Sequence, residues 1–177
     1  VARLTDEAET SFSLVFASLG GAVERVGRAY LRARGRESGC LAIVGFEGTA
    51  EDIERRRVRT ASLLRAGGGI ALGRRPGELW LRGRYAGPYL RDELLDRAVL
   101  VDTLETATTW SDLESLYRAT GDALRSSLAE RGTPPFVMCH VSHLYPTGAS
   151  LYFTFIAPRE DEAPLQQWQA VKSAACD

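Results

Sequence analysis

The residues best suited to chemistry gather in one stretch, Cys139 to Phe155, which reads CHVSHLYPTGASLYFTF. It holds both histidines, His140 and His143, the tyrosines Tyr145 and Tyr152, and a Pro146-Thr147-Gly148 turn signal between two strand-like runs. A tyrosine hydroxyl can relay a proton or hold a substrate oxygen. Histidines three apart could share a metal on a helix, but on a strand they face opposite ways. No acidic or cysteine residue stands at a spacing that would complete such a metal site. Farther upstream lies Arg91, in Tyr89-Leu90-Arg91-Asp92. Its guanidinium fork suits phosphate or carboxylate, or it pairs at the surface with Asp92 or Glu93. Glu105 has the chemistry of a base, although a hydrogen-bonded carboxylate at a sheet edge is the commoner fate. Arg84 and Tyr85 fit a surface role.

The pattern of apolar residues says what must position these groups. If Pro146 and Thr147 form a two-residue turn, His143 lies opposite Ser150 and Val141 opposite Tyr152. Alternation then puts His143, Ser150, Tyr152 and Thr154 on one face, and Leu151, Phe153, Phe155 and Leu144 on the other. The second face is apolar enough for a core. The first is polar enough to line a site, or to be a half-solvated sheet. A slip of one residue would part His143 from Tyr152.

Around this hairpin the chain reads as alternating elements. Val1 to Leu4 is a short apolar start, followed by an N-cap signature at Thr5-Asp6-Glu7-Ala8. Helical spacing follows through Phe12, Val15, Phe16 and Leu19. Gly20-Gly21 breaks that run, and a second helical run goes on to about Ala33. Cys40 to Glu47 reads as a strand, and Thr49 begins a helix that ends at Gly67-Gly68-Gly69. A short strand over Ile70 to Leu72 is expected next, then helical turns from Arg74 to Asp96, then a strand from Ala98 to Thr106. Ser111 and Glu114 form a capping box for a helix carrying Leu113, Leu116, Tyr117, Leu124 and Leu128. Gly132 to Pro135 ends it. The hairpin comes next, and a last helix begins near Asp161. Adjacent strands in a hairpin, with helices between the others, predict an α+β fold of ferredoxin-like type. Its sheet is antiparallel or mixed, with helices packed on one face.

Composition narrows the function classes. The chain has 177 residues, 45% hydrophobic and 25% charged, which suits one globular domain. A net charge of −1 gives no basic field for nucleic acid. No apolar run is long enough to cross a membrane, and Asp6, Glu7 and Glu9 interrupt any signal-peptide pattern. Cys40, Cys139 and Cys176 are too widely spaced for a zinc site or disulfide framework. Reduced thiols and a cytoplasmic location are the expectation. Lys172 is the only lysine and asparagine is absent, which reads as codon bias from a GC-rich genome. Arg55-Arg56-Arg57, flanked by Glu51, Asp52 and Glu54, reads as a solvated helix face. Gly67-Gly68-Gly69 follows a helix rather than a strand, so it is a helix stop and no dinucleotide fingerprint.

Two segments carry a resemblance to a known family: Cys139 to Phe155, and Pro88 to Trp110, which reads PYLRDELLDRAVLVDTLETATTW. There the chain resembles the C-terminal domain of FAD-linked oxidases, nearest to the alkyldihydroxyacetonephosphate synthase family. The resemblance implies a catalytic or substrate-positioning role for Tyr152, within the matching set Gly148, Ala149, Tyr152 and Phe153. It implies a substrate-binding role for Arg91 in its RD pair. His143, predicted on the face of Tyr152, is a further substrate-binding candidate, ahead of His140.

The resemblance also implies FAD, bound mainly by a separate N-terminal domain. It further implies a histidine-rich motif beyond the helix that begins near Asp161. Neither lies within residues 1–177. The chain therefore reads as the substrate, or cap, domain of a larger enzyme, inactive alone, with the FAD-binding domain as its partner in cis. The implied reaction exchanges the acyl chain of acyl-dihydroxyacetone phosphate for a fatty alcohol. A 2-hydroxy-acid oxidase on the same plan would use Arg91 for a substrate carboxylate. A non-catalytic α+β ligand-binding or oligomerisation module is the rival from another class. A domain separated from its partner should expose an apolar patch and form homodimers or aggregates.

Overall fold

A computed structural model describes residues 1–16, 29, 31–35 and 38–177. The elements are β1 (Ala2–Thr5), α1 (Glu7–Phe16), β2 (Leu41–Val44), α2 (Ala50–Ala66), α3 (Arg75–Gly83) and α4 (Gly87–Asp96). They continue with β3 (Val99–Thr109), α5 (Leu113–Glu130), β4 (Phe136–Leu144), β5 (Gly148–Pro158) and α6 (Pro164–Cys176). The five strands form one sheet in the order β2-β1-β4-β5-β3, with every pairing antiparallel. The α+β reading with an antiparallel sheet therefore holds. The Gly20-Gly21 break and most of the second helical run lie outside the described residues.

The core sits on one face of this sheet. Leu151, Phe153, Phe155 and Ala157 of β5 are buried at alternate positions, beside Val137 and Cys139 of β4 and Leu100 of β3. From α5, Leu124 and Leu128 reach the same core at helical spacing, and Val171 joins from α6. Full burial of each phenylalanine contributes about 1.5–3 kcal/mol. At the hairpin, a Cβ on Gly148 would lie 1.9 Å from the carbonyl oxygen of Thr108. Only glycine lets β3 and β5 approach so closely there.

Polar ties hold the helices over the core. Gln167 of α6 is fully buried and fully satisfied. Its Nε2 donates to Thr133 Oγ1 and to the Pro158 carbonyl, both at 2.9 Å, and its Oε1 accepts from the Glu160 amide at 3.0 Å. Arg131, just past α5, grips Glu160 with two bonds of 2.6 Å. Asp102 of β3 accepts from Trp168 Nε1 at 2.7 Å and pairs with Lys172 Nζ at 3.2 Å, fastening the exposed flank of α6.

Several expectations are corrected. The apolar start is a true strand, β1, paired with both β2 and β4. No strand forms over 70–72. The helical turns from Arg74 to Asp96 resolve into α3 and α4, each with proline in its first turn. The Ser111 capping box does not form: Asp112 takes the N-cap position in helical geometry and makes no side-chain cap bond. Ser111 is instead held by Thr109, 2.7 Å away, in the turn leaving β3. Thr49 does cap α2, accepting from the Asp52 amide at 3.3 Å. Asp52 and Glu54 pair with Arg55, Arg56 and Arg57 on that helix's solvated face. Neither α2 nor α3 buries a residue, and Val58, Leu63, Leu64 and Leu81 stand exposed on them.

Asp102 makes acid stability testable. Burial alone would raise its carboxyl, but hydrogen bonds from Trp168, the Thr103 backbone and Lys172 outweigh this and hold it below its ordinary value. A depressed folded pKa contributes stability that is complete above the unfolded value, about 3.9, and lost as pH falls through the folded one. The unfolding free-energy difference between the parent sequence and Asp102→Asn should therefore be constant above about pH 5 and shrink below about pH 4. A difference that does not change with pH would remove Asp102 from the acid response.

Candidate functional site

The face of the sheet turned away from the core carries a line of residues set by strand register. Thr5 of β1 pairs with His140 of β4, His140 with Tyr152 of β5, and Tyr152 with Glu105 of β3. Cross-strand partners share a face, so four strands contribute one polar row.

The row has this composition because of a bulge. The Pro146-Thr147 turn forms as expected, closed by the Tyr145 amide donating to the Gly148 carbonyl at 2.8 Å. Leu144 then pairs with Ala149, but the next pair is Val141 with Leu151. β4 has advanced three residues while β5 advanced two, so one extra residue is looped out of β4. Beyond it the register differs by one from that of an unbroken hairpin. His140, not Val141, therefore faces Tyr152, and His143 leaves the predicted pair with Ser150. Leu144 is likewise exposed rather than in the core.

His140 is 8% exposed, and its ring stacks on Tyr152 with centroids 5.0 Å apart and planes 27° from parallel. Its Nε2 lies 2.8 Å from an Arg3 guanidinium nitrogen, and its Nδ1 lies 2.9 Å from Glu9 Oε2. Arginine carries donors only, so Nε2 must accept and Nδ1–H must donate to Glu9. The Arg3–Glu9 ion pair closes the triangle. Tyr152 itself is half-buried. Its hydroxyl makes no hydrogen bond among the described residues, and no buried side-chain polar atom is left unpaired, so this oxygen is open to solvent. Beside it, Ser142 Oγ donates to Glu105 at 2.9 Å.

Asp6 supports this row from behind. Its Oδ1 accepts from the Glu9 amide at 2.7 Å, capping α1. Its Oδ2 accepts from the Cys139 amide at 2.9 Å and from the Tyr117 hydroxyl of α5 at 3.1 Å. Its own amide donates to the Cys139 carbonyl at 2.8 Å. Burial and the nearby Asp6 charge push Tyr117 up to about 12, so it remains a proton donor. Burial, with Asp6 and Glu9 adding to it, raises the Cys139 thiol. Burial, with Glu7 and Asp6, raises Cys40 as well. Both thiols stay protonated and are poor nucleophiles.

The other candidates lie apart from this row. Arg91 is exposed on α4 and makes no ion pair among the described residues, since neighbouring Glu93 is engaged by Arg97. The surface pairing considered for Arg91 is thus not formed. His143 is exposed within the bulged stretch, its ring 6.5 Å from that of Tyr145. Arg84 lies over the Tyr85 ring at 4.6 Å and near Trp80 at 5.6 Å on the surface. No group of three or more metal-ligating residues occurs among the described residues, and no helix there is long and apolar enough to cross a membrane. Two cavities, of about 570 and 200 Å³, lie around Asp6, Cys40 and Tyr117; the smaller is also lined by Thr5 and His140 of the row, and Tyr152, Arg91 and His143 line neither. On the same face as Tyr152, Val101 and Met138 are buried farther along the strands.

The sequence pattern singles out Tyr152 but gives no sign of Arg3 or Glu9 beside His140. Their contacts with His140 span 137 and 131 positions, and no local pattern encodes them.

The sheet and its helical layer are those of a known domain family. The sequence profile of the family "FAD linked oxidases, C-terminal domain" matches residues 3–175, and the chain belongs to that family. Among curated proteins it is similar to alkyldihydroxyacetonephosphate synthase of Dictyostelium discoideum. That match is 30% identical over 182 residues and spans 99% of this chain but 30% of the relative. The synthase of Trypanosoma brucei brucei is 35% identical over 137 residues, covering 77% of this chain and 22% of that protein. A solved structure of alkyldihydroxyacetonephosphate synthase superposes with a TM-score of 0.84 at 28% identity, covering all of this chain and 34% of the other. The chain therefore spans about a third of the length of these relatives.

Removing the Asp6 carboxylate should be costly. Asp6→Ala leaves the Cys139 amide and the Tyr117 hydroxyl without their acceptor, a loss of about 2–4 kcal/mol. Tyr117→Phe removes one bond and should cost about 1 kcal/mol. Urea unfolding of both variants checks this. Equal midpoints for Asp6→Ala and the parent sequence would refute the supporting role.

Proposed function

We propose that this chain is the substrate-side, or cap, domain of an FAD-dependent enzyme of the alkyldihydroxyacetonephosphate synthase type. Such an enzyme exchanges the acyl chain of acyl-dihydroxyacetone phosphate for a fatty alcohol. The observation that carries this reading is Tyr152. Its ring is clamped by a stacked neighbour and its hydroxyl is unengaged, at the position where the resemblance expects an active-site tyrosine. Family membership and the synthase relatives support the chemistry.

The residues fit a flavin on one side only. The polar row forms a wall that a second surface must close, in keeping with FAD held mainly by a separate domain in cis. Bound FAD supplies the electron-sink chemistry that side chains lack. Tyr152 gives or takes a proton at a substrate oxygen, because its hydroxyl has no competing partner. Arg91 holds the phosphate or a carbonyl oxygen with its unpaired guanidinium. His143 adds a hydrogen bond from the rim of the bulge.

The test uses the full-length protein. Its flavin absorbance should change on adding acyl-dihydroxyacetone phosphate, and ether product should form with a fatty alcohol. Tyr152→Phe should lower kcat by about 10²–10⁴-fold. Arg91→Ala should raise KM for the phosphate substrate by roughly 10-fold or more. A full-length protein that gains no flavin spectrum with added FAD would sink the proposal. A response to 2-hydroxy acids alone would replace the exchange by an oxidation.

A further inference from the structure

Tyr152 is held by a group that is itself held. The His140 ring lies against the phenol ring, and both of its nitrogens are committed, to Glu9 and to Arg3. Rotation of the imidazole about its Cβ–Cγ bond would break two charge-assisted hydrogen bonds at once. The Arg3–Glu9 pair leaves neither partner free to follow. Thr5, on the adjacent strand, fixes the backbone position of His140 through the β1–β4 pairing.

Packing alone does not call for this arrangement. The side chains of Glu9 and His140 are only 10% and 8% exposed, and that of Arg3 is 21% exposed. Withdrawing such groups from water is expensive, and well-packed apolar residues in their place are often neutral or stabilising. What the triangle adds beyond stability is a fixed imidazole plane. That plane is the surface against which the Tyr152 ring rests, while the Tyr152 oxygen stays free.

We infer that His140, locked by Glu9 and Arg3, is a positioning residue for Tyr152, setting the direction in which its hydroxyl points. The inference rests on the reading that Tyr152 acts on substrate. His140 does not relay the proton. Its Nδ1–H is spent on Glu9 and its Nε2 lone pair on Arg3, so no ring nitrogen is left to exchange with the phenol. It acts by geometry, where a displacement of about 1 Å can cost a factor of 10².

The experiment uses the full-length protein labelled with 3-fluorotyrosine, with the Tyr152 fluorine resonance assigned by its loss in Tyr152→Phe. His140→Ala removes the ring, His140→Phe keeps a flat ring without nitrogens, and Glu9→Ala frees the imidazole. All are first checked for a cooperative melt. If His140→Ala does not fold, the other two carry the comparison. The Tyr152 resonance should shift and broaden in His140→Ala and Glu9→Ala, and move least in His140→Phe.

With acyl-dihydroxyacetone phosphate and a fatty alcohol, kcat for His140→Ala should fall about 10- to 100-fold, with KM little changed. His140→Phe should recover part of the loss. In a Tyr152→Phe background, His140→Ala should cost nothing further, because its effect passes through the missing hydroxyl. A Tyr152 resonance unmoved by His140→Ala and Glu9→Ala would overturn the inference. So would a loss that adds in full to that of Tyr152→Phe. A fully active Tyr152→Phe protein would overturn the role of Tyr152 instead, and the resonance would then decide the positioning on its own.

Discussion

The carboxylate of Asp6 is the constraint on which most of this structure depends. One oxygen caps α1, and the other ties the middle of β4 to Tyr117 of α5. The Asp6 amide completes the pairing that β1 begins, since β1 itself meets β4 only at Leu4 and Thr5. Strand edge, helix start and core helix thus converge on one residue. The neighbours of these anchor points are Glu9, three residues on in α1, and His140, next after Cys139. Their contact follows from where Asp6 holds the two backbones.

The sheet carries its main core on one face and a polar row, beside buried Val101 and Met138, on the other. On one side Phe153, Phe155 and Cys139 meet α5 and α6 in a continuous core, sealed at its polar end by Gln167. On the other side the same strands present Thr5, His140, Tyr152 and Glu105. Alternation along a strand makes this division automatic. Rigidity of the core is passed most directly to Tyr152, which lies between buried Leu151 and Phe153. A tyrosine mounted this way has a fixed ring and a free oxygen, which suits a group that must meet a substrate in one orientation.

The two cavities reach the row at Thr5 and His140, in the lining of the smaller, but not at Tyr152. They lie around Asp6, Cys40 and Tyr117, beside a thiol that burial and acidic neighbours keep protonated. On the function proposed above, the Tyr152 face is one wall of a site. A chain that spans about a third of its relatives' length supplies that wall, while α2 and α3 carry exposed leucines that nothing described here covers.

Local physics in the sequence alone determined much of this. The alternation of Leu151, Phe153 and Phe155 with Tyr152 and Thr154 decided which face of β5 is core. Pro146-Thr147-Gly148 decided the turn, Thr49 the start of α2, and the Leu124 and Leu128 spacing the buried side of α5. These features depend on neighbours within a few residues, so composition and period reveal them. Tertiary structure alone decided the rest. The extra residue between Val141 and Leu144 exchanges Val141 for His140 opposite Tyr152 and parts His143 from Ser150, and a bulge leaves no turn residue to announce it. Arg3 and Glu9 reach His140 across more than 130 positions, and the strand that carries Arg3 is only four residues long. Gln167 is buried where Thr133, 34 positions away, joins Pro158 and Glu160 as its partners. Such contacts are set by the path of the whole chain, and no local pattern has the range to encode them.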